Sequence, residues 1–359
     1  MSLEKLGWNT YFQDNFIPYS NNGFVAARVI TQYKGNYIVR SEKGDFNSKL
    51  SGKFMYNADI KKDYPAVGDW VAIKIISDTE AIIYAILPRK SYFARKLAIS
   101  GGRKIKNGII VGGNIEEQII GSNIDTAFIV SGLDNNFNIC RIERYITLVR
   151  SSGANPIILL NKCDLCNNIS HYLNEIYSIA TDIDVYSISV LKNINMDIFD
   201  KFLCSGKTVV FLGSSGVGKS TIVNFLFGDE KQKTNAASSS NGKGRHTTTS
   251  SQLVSHSSGC SVIDTPGIRE LQLWADEGIL SESFQEIYSL IDKCKYSNCN
   301  HDKEAGCAVK DAIEDGTLTI ERFNSYKSQL KELKILQDNK KSYSNNRIYN
   351  HHKRNMKRG

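Results

Sequence analysis

The sequence predicts a multidomain chain: an N-terminal OB-type β-barrel, a central α/β P-loop domain whose motifs run in circularly permuted order, and a C-terminal helical metal-binding domain. Three observations carry this. Short β-rich runs punctuated by turn residues fill the region from Phe24 to Arg95. A glycine-rich loop at Gly213 to Thr221 lies about fifty residues after the tetrapeptide Asn161-Lys-Cys-Asp164, the reverse of the usual order of two such motifs. Cys294, Cys299, His301 and Cys307 crowd one short polar segment. A length of 359 residues allows two or three domains with cores of their own. The expected segmentation is an extension over 1–22, the barrel over 23–97, the α/β domain over 98–283, the metal domain over 284–326 and a basic helix and tail over 327–359.

The barrel strands are read from Phe24-Val-Ala-Ala-Arg-Val-Ile30, Asn36-Tyr-Ile-Val-Arg40, Asp69-Trp-Val-Ala-Ile-Lys-Ile75 and Ala81 to Leu87. Each is rich in β-branched and aromatic residues and bounded by Gly, Asn, Asp or Pro, as Pro65 and Gly68 do ahead of Trp70. Arg28, Tyr33, Lys34, Tyr37, Arg40, Lys49, Lys53 and Phe54 interleave cations with rings, the mixture that an RNA-binding surface uses. An SH3-like adaptor barrel with an ordinary solvated face is the alternative for this segment.

In the central domain, Thr208-Val-Val-Phe-Leu212 reads as a buried strand and Thr221-Ile-Val-Asn-Phe-Leu-Phe227 as a helix. The segment Gly213, Ser214, Ser215, Gly216, Val217, Gly218, Lys219, Ser220, Thr221 therefore falls at a strand-to-helix turn and fits G-x-x-x-x-G-K-[ST]. Backbone N–H groups and the positive end of the helix dipole face the phosphates there. Lys219 would reach the β- and γ-phosphates and the Ser220 hydroxyl would bind Mg²⁺. Cys260-Ser-Val-Ile-Asp264 followed by Thr265-Pro-Gly267 supplies the second phosphate-side element: Asp264 as a Mg²⁺-proximal carboxylate and Gly267 with an N–H free to meet a γ-phosphate. Between them, residues 236–249 form a polar switch loop whose Thr247 to Thr249 run offers a further Mg²⁺ ligand, with Thr248 favoured.

Asn161-Lys162-Cys163-Asp164 follows the apolar run Pro156-Ile-Ile-Leu-Leu160, at the carboxyl end of a strand where open α/β sheets bind nucleotides. The Asp164 carboxylate can accept N1–H and N2–H of guanine together, a donor pair adenine lacks, which selects GTP over ATP. Asn161 would hold the loop and the base edge, and the Lys162 stem would pack over the ring. An ATP-using P-loop enzyme is thereby disfavoured. Ser187-Ile-Ser189 supplies the last base contact through Ser189, although Val190 stands where a small residue usually follows.

Cys163 and Cys166 make a C-x-x-C, but Cys163 occupies the variable position of the guanine reader. Three thiolates and one imidazole at Cys294, Cys299, His301 and Cys307 match a closed, four-coordinate structural Zn²⁺ site with no open position for a substrate, one ion per chain. The remaining cysteines are scattered through the nucleotide domain, which fits a reducing cytoplasm and no disulfide framework. The start of the chain has no signal-like apolar core, and runs such as Ala81-Ile-Ile-Tyr-Ala-Ile-Leu87 are too short to cross a bilayer. No membrane partner is expected, and the protein is expected to be soluble and monomeric.

From Asn324 onward ten Lys and Arg face two carboxylates, a balance of +8 that equals the formal net charge of the whole chain. Ile320 to Leu336 can form an amphipathic helix through Phe323, Leu330, Leu333 and Leu336. The polar, basic stretch beyond it suits a phosphate backbone, with a solubilising tail or a membrane-surface contact as alternatives.

Motifs in the order Asn161-Lys-Cys-Asp164, Gly213 to Thr221, Thr247 to Thr249 and Asp264-Thr-Pro-Gly267, preceded by a barrel with Val67-Gly-Asp-Trp-Val71 and followed by the Cys/His cluster, resemble the ribosome small-subunit-dependent GTPase A (RsgA) family. The resemblance covers almost the whole chain. It implies a circularly permuted GTPase between an OB-fold and a helical zinc-binding domain, with the 30S subunit and its 16S rRNA as partners. It also implies late 30S maturation, release of an assembly factor, and hydrolysis of GTP to GDP that the subunit stimulates.

Ile268 stands where many GTPases place a water-orienting glutamine, and its side chain cannot hydrogen-bond the attacking water. His246 on the switch loop can, and the resemblance points to the same histidine as catalytic. Slow unstimulated turnover follows, on the order of 10⁻⁴ to 10⁻² s⁻¹. The competing readings are a GTP-regulated RNA-binding switch acting on another ribosomal or RNA target, and a GTPase of the large subunit.

Overall fold

The structure is a computed structural model that describes residues 2–33, 35–100, 104–106, 109–111, 114–134, 136–228, 251–264, 277–302 and 304–334. The switch loop 236–249 with His246 and Thr247 to Thr249, the segment Thr265 to Ile268 with Gly267, and the basic tail beyond residue 334 lie outside the described residues. The chain divides into two compact units. One comprises Met1–Lys96, Glu116–Ile139 and Ser152–Leu271, the other Leu97–Ile115, Cys140–Ser151 and Gln272–Gly359.

The first unit begins with helix α1 (Thr10–Ser20), started by Asn9, whose side chain accepts a hydrogen bond from the Tyr11 N–H. Its buried Phe12 and Phe16 pack with Leu6 against Trp70, which is fully buried. The barrel follows: β1 (Val25–Tyr33), β2 (Asn36–Ser41), β3 (Gly44–Leu50), α2 (Gly52–Asn57), β4 (Trp70–Ile75) and β5 (Glu80–Ile86). Strand order is β1-β2-β3-β5-β4, and β4 closes back onto β1 with Arg28 opposite Trp70. Ala27, Val29, Tyr37, Val39, Phe46, Val71, Ile73, Ala81 and Ile83 fill its interior. The β3–β5 pairing is parallel, and α2 links β3 to β4, the arrangement of an OB-type barrel.

Strand β3 is missing from the sequence expectation. Gly44-Asp-Phe-Asn-Ser-Lys-Leu50 is mostly polar; Phe46 and Ser48 are buried and Leu50 half-buried against the barrel core, so alternation with little hydrophobicity conceals it.

Beyond the barrel, β6 (Tyr92–Ser100) pairs with β9 (Asn114–Ser122), and the short β7 (Lys104–Lys106) with β8 (Ile109–Val111). The α/β domain then runs β10 (Thr126–Gly132), α3 (Ile139–Ser152), β11 (Asn155–Asn161), α4 (Ile169–Tyr177), β12 (Val185–Ser187), β13 (Thr208–Leu212), α5 (Lys219–Phe227), β14 (Gln252–Ser255) and β15 (Ser261–Asp264). The sheet order is β12-β11-β10-β13-β15-β14; the first five strands are parallel and β14 is antiparallel. Every residue of β10 and β13 is buried, as strands covered on both faces require. Edge strand β14 also pairs with β1, Thr31 opposite Gln252, so barrel and α/β sheet form one eleven-stranded sheet.

Arg28 staples this unit. Arg28 is 1% exposed and its guanidinium donates to the carbonyls of Leu6, Gly68 and Asn123, one each from the N-terminal segment, the barrel and the turn between β9 and β10. Burial pushes its pKa down to about 10, which still leaves it charged at neutral pH. Beside it, buried Asp69 accepts two hydrogen bonds of 2.7 Å from Arg89 and one of 2.6 Å from Ser122.

In the second unit, α6 (Glu277–Ser283), α7 (Gln285–Ile291), α8 (Ala308–Glu314) and α9 (320–334) share a core that includes Leu280, Phe284, Ile287, Val309, Phe323, Tyr326 and Leu333. The amphipathic helix expected there forms, with Phe323 and Leu333 inward and Leu330 partly buried; Leu336 lies outside the described residues. Most of α3 belongs to this unit, where Glu143 receives Arg322 and the Ser325 hydroxyl, the latter at 2.5 Å. Among the described residues no helix is long and apolar enough to cross a membrane.

Arg28→Met keeps the apolar stem but strips the Leu6 and Asn123 carbonyls of their donor and leaves the Gly68 carbonyl only the Asn123 side chain, so unfolding in urea should lose about 3 kcal/mol. A midpoint equal to that of the unsubstituted protein would show that Arg28 is no staple.

Candidate nucleotide site and metal cluster

Parallel strands bring their carboxyl ends to one edge of the sheet, so segments far apart in the chain meet there. β13 ends at Leu212 and α5 begins at Lys219, placing the glycine-rich loop at that edge. Gly213, Gly216 and Gly218 have φ of 144°, 82° and 102°, which L side chains rarely adopt. A Cβ on Gly213 would lie 2.3 Å from the Val130 carbonyl oxygen, and one on Gly218 would lie 2.3 Å from Asn161 Nδ2. Val217 is buried and anchors the loop, while Ser215, Gly216, Ser220 and Thr221 are exposed and Ser214 is half-buried. Gly218 at the N-cap of α5 supplies no side-chain cap, and a helix start of this kind suits an anionic ligand. Lys219 Nζ donates to the carbonyls of Gly213 at 2.7 Å and Ser214 at 2.6 Å, folded back over the loop.

Asp264 ends β15, the neighbour of β13, with an exposed side chain. Ser220 and Asp264 thus arise from adjacent elements at the same edge, and hydroxyl and carboxylate oxygens suit a hard divalent cation. Their expected companions Thr248 and Gly267 lie outside the described residues, as does His246.

Asn161 is the last residue of β11 and is 4% exposed. Its Nδ2 donates to the Val217 carbonyl at 2.9 Å, joining guanine reader to phosphate loop. Its buried Oδ1 has no hydrogen-bond partner among the described residues, an acceptor suited to a ligand or to water. Lys162 takes a left-handed conformation, φ 64°, with Nζ 2.5 Å from Asp134 Oδ2. Cys163 is buried and its N–H donates to the Ile188 carbonyl at 3.1 Å, which makes it an anchor of the loop. The Asp164 side chain is exposed. Ser189 is buried, exchanges backbone hydrogen bonds with Ile194, and its hydroxyl accepts from the Lys192 N–H at 3.2 Å.

Sequence reasoning missed Asp134 and Asn136, in the loop after β10. Asn136 Nδ2 donates to the Ser215 carbonyl at 3.1 Å, and the Lys162 hydrogen bond holds the Asp134 carboxyl below its usual pKa. The available signal was an Asp/Asn-rich turn directly after a buried strand of an open sheet.

In the second unit the ligand atoms of Cys294, Cys299, His301 and Cys307 lie within 4.8 Å of one another. His301 Nδ1 is 3.6 Å from Cys294 Sγ and 3.5 Å from Cys307 Sγ, and the two sulfurs are 4.0 Å apart. Ligands of a tetrahedral ion with ~2.3 Å metal–sulfur and ~2.0 Å metal–nitrogen bonds sit about 3.5–3.8 Å apart, so the four fit one metal ion. All eight cysteines are free of disulfides, and burial pushes the Cys260 thiol up to about 12.

A family model described as RsgA GTPase matches residues 102–274. "Small ribosomal subunit biogenesis GTPase RsgA 2" of Lactiplantibacillus plantarum is 38% identical over 333 residues, spanning 93% of this chain and 90% of the relative. "Small ribosomal subunit biogenesis GTPase RsgA" of Syntrophotalea carbinolica is 40% identical over 334 residues, with 93% and 90% covered. Among solved structures, YjeQ from Thermotoga maritima shares the fold, with a TM-score of 0.61 at 23% identity over 86% of this chain and 98% of that one. YloQ, described as a circularly permuted GTPase, gives a TM-score of 0.57 at 26% identity over 87% and 95%. Likeness of this extent, on a sheet whose phosphate loop follows its guanine reader, assigns the chain to the RsgA family of circularly permuted GTPases, which hydrolyse GTP to GDP and phosphate.

Proposed function

We propose that this GTPase acts in biogenesis of the small ribosomal subunit, binding the 30S particle through its 16S rRNA and releasing an assembly factor from nearly mature subunits. The names of the relatives, each called a small ribosomal subunit biogenesis GTPase, support the small-subunit part of this reading. Of the barrel's rings and cations Arg28 and Tyr37 turn inward, while Tyr33, Lys49 and Lys53 are exposed; these and the basic C-terminal segment support an RNA partner. The reading places the protein in the cytoplasm as a monomer, with the domain boundaries set out from the sequence.

In this reading Asp164 accepts the two guanine donors, Lys162 covers the ring face, and Asn161 and Ser189 hold the base edge, with Cys163 anchoring their loop. The backbone from Gly213 to Thr221 surrounds the phosphates, and Lys219 swings from the carbonyls of Gly213 and Ser214 to the β- and γ-phosphates. Gly267 offers its N–H to the γ-phosphate. Ser220, Asp264 and Thr248 would hold Mg²⁺, which when bound would supply positive charge to the β- and γ-phosphate oxygens. His246 orients the attacking water when the subunit positions the switch loop, so hydrolysis is slow alone and faster on the subunit. The cluster of Cys294, Cys299, His301 and Cys307 holds one structural Zn²⁺, because three thiolates and an imidazole leave no coordination position open.

The decisive experiment measures GTP turnover with purified 30S subunits, 50S subunits and naked rRNA. Stimulation by 30S alone is expected; equal stimulation by 50S would overturn the proposal. His246→Ala should lower subunit-stimulated turnover about 100-fold while leaving GTP affinity within about twofold, and undiminished turnover would remove His246 from the chemistry. Asp164→Asn should shift preference from GTP to xanthosine triphosphate, and Gly218→Ala, which drives a methyl into Asn161, should weaken GTP binding at least ~10-fold by equilibrium titration.

A further inference from the structure

The loop after β10 touches both halves of the nucleotide site through three separate connections. The Leu133 N–H donates to the Asn161 carbonyl at 2.8 Å. Asp134 Oδ2 holds Lys162 Nζ at 2.5 Å, while its other oxygen accepts the Asn136 N–H at 3.0 Å and shapes the turn. The Asn136 side chain grips the phosphate loop on two sides, donating from Nδ2 to the Ser215 carbonyl at 3.1 Å and accepting at Oδ1 from the Ser214 hydroxyl at 3.4 Å. Gly132 gives the turn its room, because a Cβ there would sit 2.8 Å from Asp134 Oδ1. Phe137 closes the far end against Tyr172 of α4, ring centroids 4.7 Å apart.

We infer that Asp134 and Asn136, after β10, form a third nucleotide-positioning element, in which Asp134 sets Lys162 for the base and Asn136 sets the phosphate-loop backbone. The inference rests on the GTP site described above. The Lys162 stem has four rotatable bonds and so many directions open to it; an ammonium anchored on Asp134 removes that freedom before the base arrives. Across a trans peptide the C=O and the following N–H point opposite ways. Asn136 fixes the direction of the Ser215 carbonyl, and the Gly216 N–H thereby points to the opposite side of that peptide. Neither side chain needs to touch the nucleotide: both are positioning residues, and they differ in what they position.

The test is stopped-flow release of N-methylanthraniloyl-GDP and -GTP from the full chain. Asp134→Asn keeps an acceptor for the Asn136 N–H, so the turn survives, but loses the ion pair with Lys162. Release of both nucleotides should accelerate about tenfold, with turnover at saturating GTP within about twofold of the unsubstituted rate. Asn136→Ala should accelerate release by a similar factor, and Asn136→Asp, which keeps the acceptor for Ser214, should recover part of it. In a double-mutant cycle Asp134→Asn should add little to Lys162→Met, whereas a purely structural aspartate would contribute the same in both backgrounds. Release rates within twofold of the unsubstituted protein for both Asp134→Asn and Asn136→Ala, or additivity in the cycle, would overturn the inference. Those outcomes leave the GTPase assignment standing; failure of the unsubstituted chain to bind either nucleotide would sink both.

Discussion

The hydrogen bond from Asn161 Nδ2 to the Val217 carbonyl ties the base reader to the phosphate reader, and the architecture around it works to hold those two groups in register. Strand β11 ends at Asn161, β13 ends one residue before the loop that contains Val217, and fully buried β10 lies between them with parallel pairing on both sides. Gly218 carries no side chain because any would collide with Asn161. Moving the base reader ahead of the phosphate loop in the chain changes none of this. Parallel strands present the same ends whatever order the connections visit them, so permutation costs the site nothing while changing which segments are contiguous with the flanking domains.

A second constraint is electrostatic. The first unit buries a guanidinium at Arg28 and a carboxylate at Asp69 close to the junction of barrel and α/β domain. Both are tolerated because every charge has partners: carbonyls for Arg28, and Arg89 with Ser122 for Asp69. Those partners lie up to 95 residues from Arg28 in the chain, so the polar junction forms only when the N-terminal segment, the barrel and the end of β9 are all in place. Apolar packing alone tolerates slippage that a buried ion with fixed acceptors does not.

Much of the site was legible in the sequence because its chemistry demands particular residues at particular spacings. The phosphate loop needs glycine at left-handed positions, and three of its glycines occupy them. The thiolates and imidazole of the metal cluster have no other reason to crowd one segment, and they converge. Strand β3 was hidden because a barrel strand can bury two side chains and keep a polar composition. Asp134 and Asn136 were hidden for a different reason: they act through other residues, so no ligand chemistry dictates their identity. Arg28 read as one more cation of a surface, and only the three-dimensional closure of β1 against β4 turns it inward.

The pairing of β1 with β14, Thr31 against Gln252, bears on how the chain is made. The barrel is contiguous in sequence and emerges from a translating ribosome well before β14 exists. A closed barrel would then present one margin of β1 as a docking template for a segment more than two hundred residues further along the chain than β1. Severing the two domains would expose that margin on one fragment and the edge of β14 on the other, two complementary strands free to pair with strangers.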